Sequence, residues 1–333
     1  MSQSSTGEVL KNLVPNSGVT SPTAVKDVES PSVSTRIFKQ TLVKFRPHYP
    51  FKFLATFSSD GQRIISSSSD SPTILIWDAV NGDPIKGPVC FSSRESPTFI
   101  RLSQNGQWLL SGSGDARDQI ALLWHIDTRQ AIPIGLKICY NDLVALSRDG
   151  MKVFIRRSGR DVVAENITMG ERAHHDGTHL GAYSSNGEKI LFVDATTGQL
   201  NILQGERLIV HFKSMHDRVV ESLAFSRDGT HYVLGLSDGR IQLRDSDTGT
   251  ILSESDYFGG HTGRVSCVAF SPDGKWIVSG SFDRTICIWD ARSGALVSRP
   301  LTRHLDNVRT VTFSPDGLKI LSTSDDSTIR IWS

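Results

Sequence analysis

A chain of 333 residues with 38% hydrophobic side chains can bury a full core, either in two ordinary domains or in one closed all-β architecture. Its 36 basic and 35 acidic side chains leave a net charge of +1, without the clustered basic excess of a nucleic-acid module. The apolar runs, such as TILIW at 73–77, fall far short of the roughly 20 residues of a membrane span. The first residues show no basic start followed by an apolar stretch, so no secretory signal is read there. Cys90, Cys139, Cys267 and Cys287 form no CxxC pair and are expected as free thiols in a reducing compartment, cytoplasmic or nuclear. There the sequon Asn166-Ile167-Thr168 meets no glycosylation machinery.

In chain order, residues 1–33 mix Ser, Thr, Pro and Val without a sustained period and read as a disordered tail. Its two Ser-Pro steps, Ser21-Pro22 and Ser30-Pro31, are more economically explained by composition than by phosphorylation. Residues 34–44, STRIFKQTLVK, have the composition of a strand. From there a short turn recurs seven times: SSDG ending at Gly61, SQNG at Gly106, SRDG at Gly150, SSNG at Gly187, SRDG at Gly229, and SPDG at Gly274 and Gly317. Its intervals are 45, 44, 37, 42, 45 and 43 residues. Each turn joins a side chain that hydrogen-bonds locally to a glycine that tolerates positive φ, as a tight antiparallel connection requires. Around each turn lie short β-branched and aromatic runs, which predict about four strands of roughly 4–7 residues per unit.

A sheet that small cannot bury both faces alone. Seven of them must stack, and a ring leaves no terminal sheet uncovered, so the expected fold is an all-β, seven-bladed β-propeller over residues 34–333. The last copy stops one residue after Trp332 and lacks a fourth strand, so the segment 34–44 is expected to complete it and close the ring.

The unit GHTGRVSCVAFSPDGKWIVSGSFDRTICIWDARSG at 260–294 closely resembles the WD-repeat (β-transducin-like) propeller family. TRHLDNVRTVTFSPDGLKILSTSDDSTIRIWS at 302–333 does so nearly as well, and the whole is similar to long fungal-type WD arrays. The resemblance implies a buried His–Ser–Asp–Trp network at His261, Ser279, Asp283 and Trp289, and again at His304, Ser322, Asp326 and Trp332. Such groups are tolerated inside a sheet because each supplies the other's partner. Copy one offers His48, Ser66 and Asp70, with Trp77 one residue late after Ser71-Pro72. Copy two keeps Ser111, Asp115 and Trp124 but has Ser93 in place of His and an enlarged turn holding Arg117 and Asp118. Copy five keeps His216 and Asp238 but carries Leu234 and Arg244 for Ser and Trp; copies three and four lose the pattern. Sheets three to five are therefore expected to rest on apolar packing and to be softer.

The resemblance also implies a partner-contact face at the end that carries the second-to-third turns and the inter-repeat links. Transferred by position it comprises Phe51 and Phe53, Tyr140 and Asp142, His179, Val219 and Glu221, Arg264 and Phe282, and Asn307, Arg309 and Asp325. Phe and Arg in one cluster are residue types enriched in binding hot spots.

Motifs that would mean chemistry fit turns better. Gly235-Leu236-Ser237-Asp238-Gly239 spells GxSxG, yet it ends a strand at a hairpin where a nucleophile elbow needs a following helix. His174-His175-Asp176-Gly177-Thr178-His179 reads as solvated histidines rather than a metal site, and Asp245-Ser246-Asp247-Thr248-Gly249 lacks the distal Glu of a calcium loop. No metal, cofactor or catalytic set is assembled. The expected function is a non-catalytic scaffold, a monomeric propeller within a larger complex, that binds proteins or peptides and neither nucleic acid nor membrane. The runner-up follows from Trp289-Asp290-Ala291-Arg292, similar to the WDxR box of cullin-4 substrate receptors, in which Arg292 would contact the ligase adaptor. A propeller hydrolase or oxidoreductase is disfavoured.

Overall fold

The computed structural model describes residues 40–45, 53–68, 71–85, 89–90, 97–103, 107–114, 119–126, 128, 131–138, 143–146, 152–156, 162–166, 172–175, 178–184, 189–194, 199–204, 207–212, 219–252 and 260–333. All strands belong to the unit Thr35–Ser333, and the expected tail lies outside the described residues. No helix long and apolar enough to cross a membrane occurs among the described residues.

The strands form seven antiparallel sheets among the described residues. Sheet one runs Phe53–Phe57, Arg63–Ser68, Ser71–Asp78 and Val89–Cys90. Sheet two runs Pro97–Leu102, Trp108–Gly114, Gln119–His125 and Ala131–Ile138. Sheet three holds Leu143–Leu146, Lys152–Arg156, Val162–Asn166 and Arg172–His175, and sheet four Thr178–Tyr183, Lys189–Asp194, Leu200–Gln204 and Arg207–Phe212. Sheet five has Val220–Phe225, His231–Leu236 and Ile241–Asp245; sheet six has Val265–Phe270, Trp276–Ser281 and Ile286–Asp290. Sheet seven combines Val308–Phe313, Ile320–Ser324 and Thr328–Trp332 with Gln40–Phe45, which pairs antiparallel to Thr328–Trp332 through Gln40↔Trp332, Thr41↔Ile331 and Phe45↔Ile329.

The recurring turn owes its sequence to one hydrogen-bond circuit. In SPDG at 271–274, Ser271 Oγ donates to Asp273 Oδ1 at 2.6 Å and accepts the Trp276 amide at 2.9 Å, while Asp273 accepts the Lys275 amide at 3.1 Å. Gly274 sits at φ 72°, where a side chain would be strained. Ser226, Asp228 and Gly229 repeat the circuit, and Ser314, Asp316 and Gly317 repeat it again. Burial alone would raise the Asp228 carboxyl, but the hydrogen bonds from Ser226 and Thr230 bring it down to about 2.

The first strands of the sheets touch in succession, from Phe53–Phe57 to Pro97–Leu102 and onward to Val308–Phe313, which in turn touches Phe53–Phe57. The core is accordingly a series of layers between neighbouring sheets. Val278, Ile286 and Ile288 of sheet six pack on Val308, Val311, Ile320 and Trp332 of sheet seven. Leu321, Ile329 and Ile331 of sheet seven pack on Ala55, Phe57 and Ile64 of sheet one. A sheet flanked on both sides is buried on both faces, which is why Ile320–Ser324 is buried at every position. Where sheets six and seven approach closest, a Cβ on Gly280 would stand 2.5 Å from Val308 and 2.8 Å from Cys267, so only glycine fits. Sheets four and five are bolted by Lys189, whose Nζ reaches Ser246 Oγ and Asp247 Oδ1, both at 2.7 Å.

One expectation needs correction: the units are not uniformly four-stranded. Sheet six has three strands, with bridges Trp289↔Leu296 and Ile286↔Leu301 in place of a fourth; sheet five has three strands and the bridge Arg244↔Ile251 among the described residues, and residues 253–259 lie outside them. In sheet six the segment after Gly294 bonds through the Val297 and Leu301 amides at 2.8 Å each, but Pro300 between them has no N–H to continue a ladder.

Gln40–Phe45 covers the edge of a strand that would otherwise end its sheet in open hydrogen-bonding groups. Deleting residues 1–45 is therefore expected to lower the melting temperature and to unmask the Thr328–Trp332 amides in hydrogen exchange, whereas deleting 1–33 leaves both unchanged.

Candidate functional site

Sheet six shows the expected network complete. Trp289 Nε1 donates to Ser279 Oγ at 2.8 Å, Ser279 Oγ lies 2.8 Å from His261 Nε2, and His261 Nδ1 lies 2.9 Å from Asp283 Oδ2. The Asp283 carboxylate only accepts, which places an imidazole proton on Nδ1 facing it; in the neutral ring Nε2 then accepts the hydrogen of Ser279, whose oxygen takes the indole N–H. Asp283 also accepts the Thr262 and Thr285 amides at 2.9 Å and the Thr285 hydroxyl at 2.7 Å. Sheet seven repeats this with Trp332, Ser322, His304 and Asp326 at 2.8, 2.7 and 2.9 Å, with Leu305 and Thr328 supplying the amides. Burial alone would raise Asp283 and Asp326, but hydrogen bonds from the histidine, threonine and linker amide hold both well below the usual carboxylate range. Burial lowers His304, outweighing the opposing pull of Asp326, so its ring stays neutral.

Ser, His and Asp in a row have the composition of a hydrolytic triad. Here Ser279 and Ser322 are 0% exposed and their oxygens are already held by indole, so no substrate reaches them. These are structural braces. Sheets one and two keep part of the brace: Trp77 donates to Ser66 at 2.8 Å and Trp124 to Ser111 at 2.9 Å. The late Trp77 is accommodated by a register shift between Ser67↔Ile74 and Ser68↔Ser71, a bulge that absorbs the extra residue before the ladder reaches the indole. His48 and Asp70 of this copy lie outside the described residues, as do Ser93, Asp115 and His216. In sheet five, Arg244 at the Trp position is held by Gln242 at 2.8 Å and the Gly249 carbonyl at 2.9 Å.

Above these braces, at the end of the second-to-third turns and the links, the structure brings several predicted face residues together. Arg309 donates to both oxygens of Asp325, at 2.8 and 2.6 Å, and its guanidinium stands 4.8 Å over the half-buried Phe282 ring. Asn307 Nδ2 adds a bond to Asp325 at 3.3 Å. The Phe282 amide bonds the Arg264 carbonyl at 3.0 Å, and Arg264 pairs with Glu221 of sheet five at 3.3 Å. Six residues from three sheets are thus linked across two sheet boundaries. Arg309, expected at the contact face, is engaged by Asp325 and braces Phe282. Val219 is 63% exposed at the same end, and Leu305, which the sequence reading missed, is 76% exposed one residue after His304. Phe51, Tyr140 and Asp142 lie outside the described residues; Phe53 and His179 are placed on strands Phe53–Phe57 and Thr178–Tyr183.

At the other end, Arg292 is exposed in the turn Asp290–Gly294, its amide bonded to Asp290 at 3.0 Å. The Asp245–Gly249 segment forms the same turn, with Asp245 accepting the Asp247 and Thr248 amides at 3.0 and 2.8 Å. Ser237 of the GxSxG string accepts the Val219 amide at 3.2 Å in a hairpin, and no helix follows it. Among the described residues no cluster of His, Cys, Asp and Glu could hold a metal. Cys267 and Cys287 are free, and burial pushes both thiols up to about 12, which makes them poor nucleophiles.

The profile of the WD domain, G-beta repeat, matches residues 39–78, 252–290 and 296–333. These three segments are WD repeats. The matched segments include the two complete networks and the copy in which Trp77 arrives late. A protein of Arabidopsis thaliana named actin-interacting protein 1-2 is similar to the chain, 26% identical over 223 residues that cover 61% of this chain and 36% of that protein. The chain therefore spans little more than a third of that relative's length.

Ser279→Ala removes the hydroxyl that holds both His261 Nε2 and Trp289 Nε1, and is expected to cost about 2–4 kcal/mol in denaturant unfolding. The pH dependence has one direction. His304 is depressed in the fold, so the unfolded chain takes up its proton first and stability begins to fall below about pH 6.5. Asp283 and Asp326 are depressed too, so their contribution, full above about pH 4, is lost as pH falls further toward their folded values. Unfolding free energy measured from pH 7 to pH 2 is expected to show both steps, and Asp326→Asn to flatten the lower one.

Proposed function

We propose that residues 34–333 form one closed, seven-bladed propeller that acts as a non-catalytic scaffold, binding protein or peptide partners through the end at which Phe282, Arg309, Asp325, Arg264 and Glu221 meet. The observation that carries this reading is the pre-set cluster itself. Phe282 is held from one side by the Arg309–Asp325 fork, and Phe282 and Asp325 immediately precede Asp283 and Asp326 of the two complete buried networks. An aromatic anchor whose rotamer is fixed before binding loses little entropy on contact, which is what a hot spot requires.

The name of the Arabidopsis relative supplies the first partner to try. Co-sedimentation of the full chain with actin filaments tests that partner, and affinity capture tests the face in general. Proteins captured by the wild type are expected to be lost with Phe282→Ser combined with Arg264→Glu and kept by Arg292→Ala at the opposite end. An unchanged set with the double variant removes the face reading. Equal melting temperatures of the variants guard against a trivial loss of fold.

A further inference from the structure

The charges at the proposed face divide into engaged and open groups. Asp325 is held by Arg309 and Asn307, and Asp283 and Asp326 are held inside the networks by histidine, threonine and amide donors. Arg309, half-buried, has both a carboxylate and an aromatic ring against it. Arg264 differs. Its side chain is 60% exposed, and it touches Glu221 through Nη1 alone at 3.3 Å, which leaves the rest of its fork open. Arg284, in the second-to-third turn of sheet six, and Arg303, in the link into sheet seven, are exposed and make no ion pair among the described residues. Arg284 also holds φ 72°, a left-handed backbone that favours glycine, and Gly239 occupies the matching place in sheet five at φ 88°. Among the described residues the open charge at this end of sheets six and seven is therefore cationic, with exposed Asp306 against it. Apolar surface lies beside it at Phe282, whose amide bonds the Arg264 carbonyl, and at Leu305 and Val219.

We propose that this face recognises an acidic peptide segment of a partner protein: a carboxylate received by Arg264, with Arg284 and Arg303 supplying the surrounding field, and an adjoining aliphatic or aromatic side chain set against Phe282. The proposal rests on the scaffold reading above and specifies the partner's chemistry. A planar fork with unused donors matches a carboxylate. Glu221 beside Arg264 selects against a phosphate, because a dianion meets about twice the repulsion a carboxylate does at the same distance.

The test is to pan the full chain against a random, unphosphorylated peptide library and to measure an enriched peptide by fluorescence anisotropy. Enrichment of Asp or Glu next to Leu, Ile or Phe is expected. Arg264→Ala should weaken that peptide about tenfold or more, raised salt should weaken it further, and Arg292→Ala should leave it unchanged. A phosphoserine in place of the acidic residue should bind less well. The proposal is overturned if no peptide is enriched, if enriched peptides carry no acid, if Arg264→Ala has no effect, or if the phosphoserine version binds better. Binding that survives Phe282→Ser but fails with Arg292→Ala would place the partner at the opposite end and remove the scaffold-face reading as well. Apolar peptides that need Phe282 but no arginine would overturn the acidic specificity alone.

Discussion

The structure depends on a serine hydroxyl buried in the middle strand of a small sheet, positioned to take an indole N–H from the next strand. Ser66, Ser111, Ser279 and Ser322 each do this. A buried indole without such an acceptor would carry the full cost of desolvation, so the Trp–Ser bond fixes which register of the two strands is tolerable. In sheets six and seven the same oxygen also orients a histidine, which orients an aspartate, and that aspartate ties the second-to-third turn to the incoming link. One bond inside the sheet is thereby coupled to the geometry of the loops above it.

That coupling explains why the candidate face is found where it is. The turn bearing Phe282 begins at the residue before Asp283, and the turn bearing Asp325 begins at the residue before Asp326. With both aspartates locked, Phe282 and Asp325 are presented at fixed positions on adjacent sheets, and Arg309 bridges them. The close sheet approach at Gly280 and the layer shared by Val278, Val308 and Trp332 keep the two sheets from sliding. Rigidity below and open charge above belong to one construction.

Much of this was legible because the repeated elements obey local rules. The Ser–Asp–Gly turn is a self-contained hydrogen-bond circuit, and the resemblance to WD repeats implied the histidine, serine, aspartate and tryptophan of copies six and seven. What spacing could not show was how irregularities are absorbed. Trp77, displaced by one residue, still finds Ser66 through a bulge at Ser68↔Ser71. The ladder that the apolar pattern of ALVS had suggested is reduced to two bridges in different registers, Trp289↔Leu296 and Ile286↔Leu301. The engagement of Arg309 was likewise hidden, since a sequence lists an arginine and an aspartate sixteen residues apart without showing that they form a fork. Lys189, which bolts sheet four to sheet five, gave no signal beyond its place after a turn.

The copies that keep complete networks, six and seven, also contribute Phe282, Arg264, Arg309 and Asp325 of the proposed contact cluster, while copies three to five lack a complete set in sequence. This asymmetry is energetic: the networks make sheets six and seven the rigid support, sheets one and two keep only the Trp–Ser bond, and sheets three to five stand on apolar packing. Native-state hydrogen exchange resolved along the chain tests it most directly. The account predicts the slowest exchange in Trp276–Ser281, Ile286–Asp290, Ile320–Ser324 and Thr328–Trp332, with sheets three and four opening at lower free energy. Equal protection in all seven sheets, or slower exchange in Lys152–Arg156 and Lys189–Asp194 than in sheets six and seven, would contradict it.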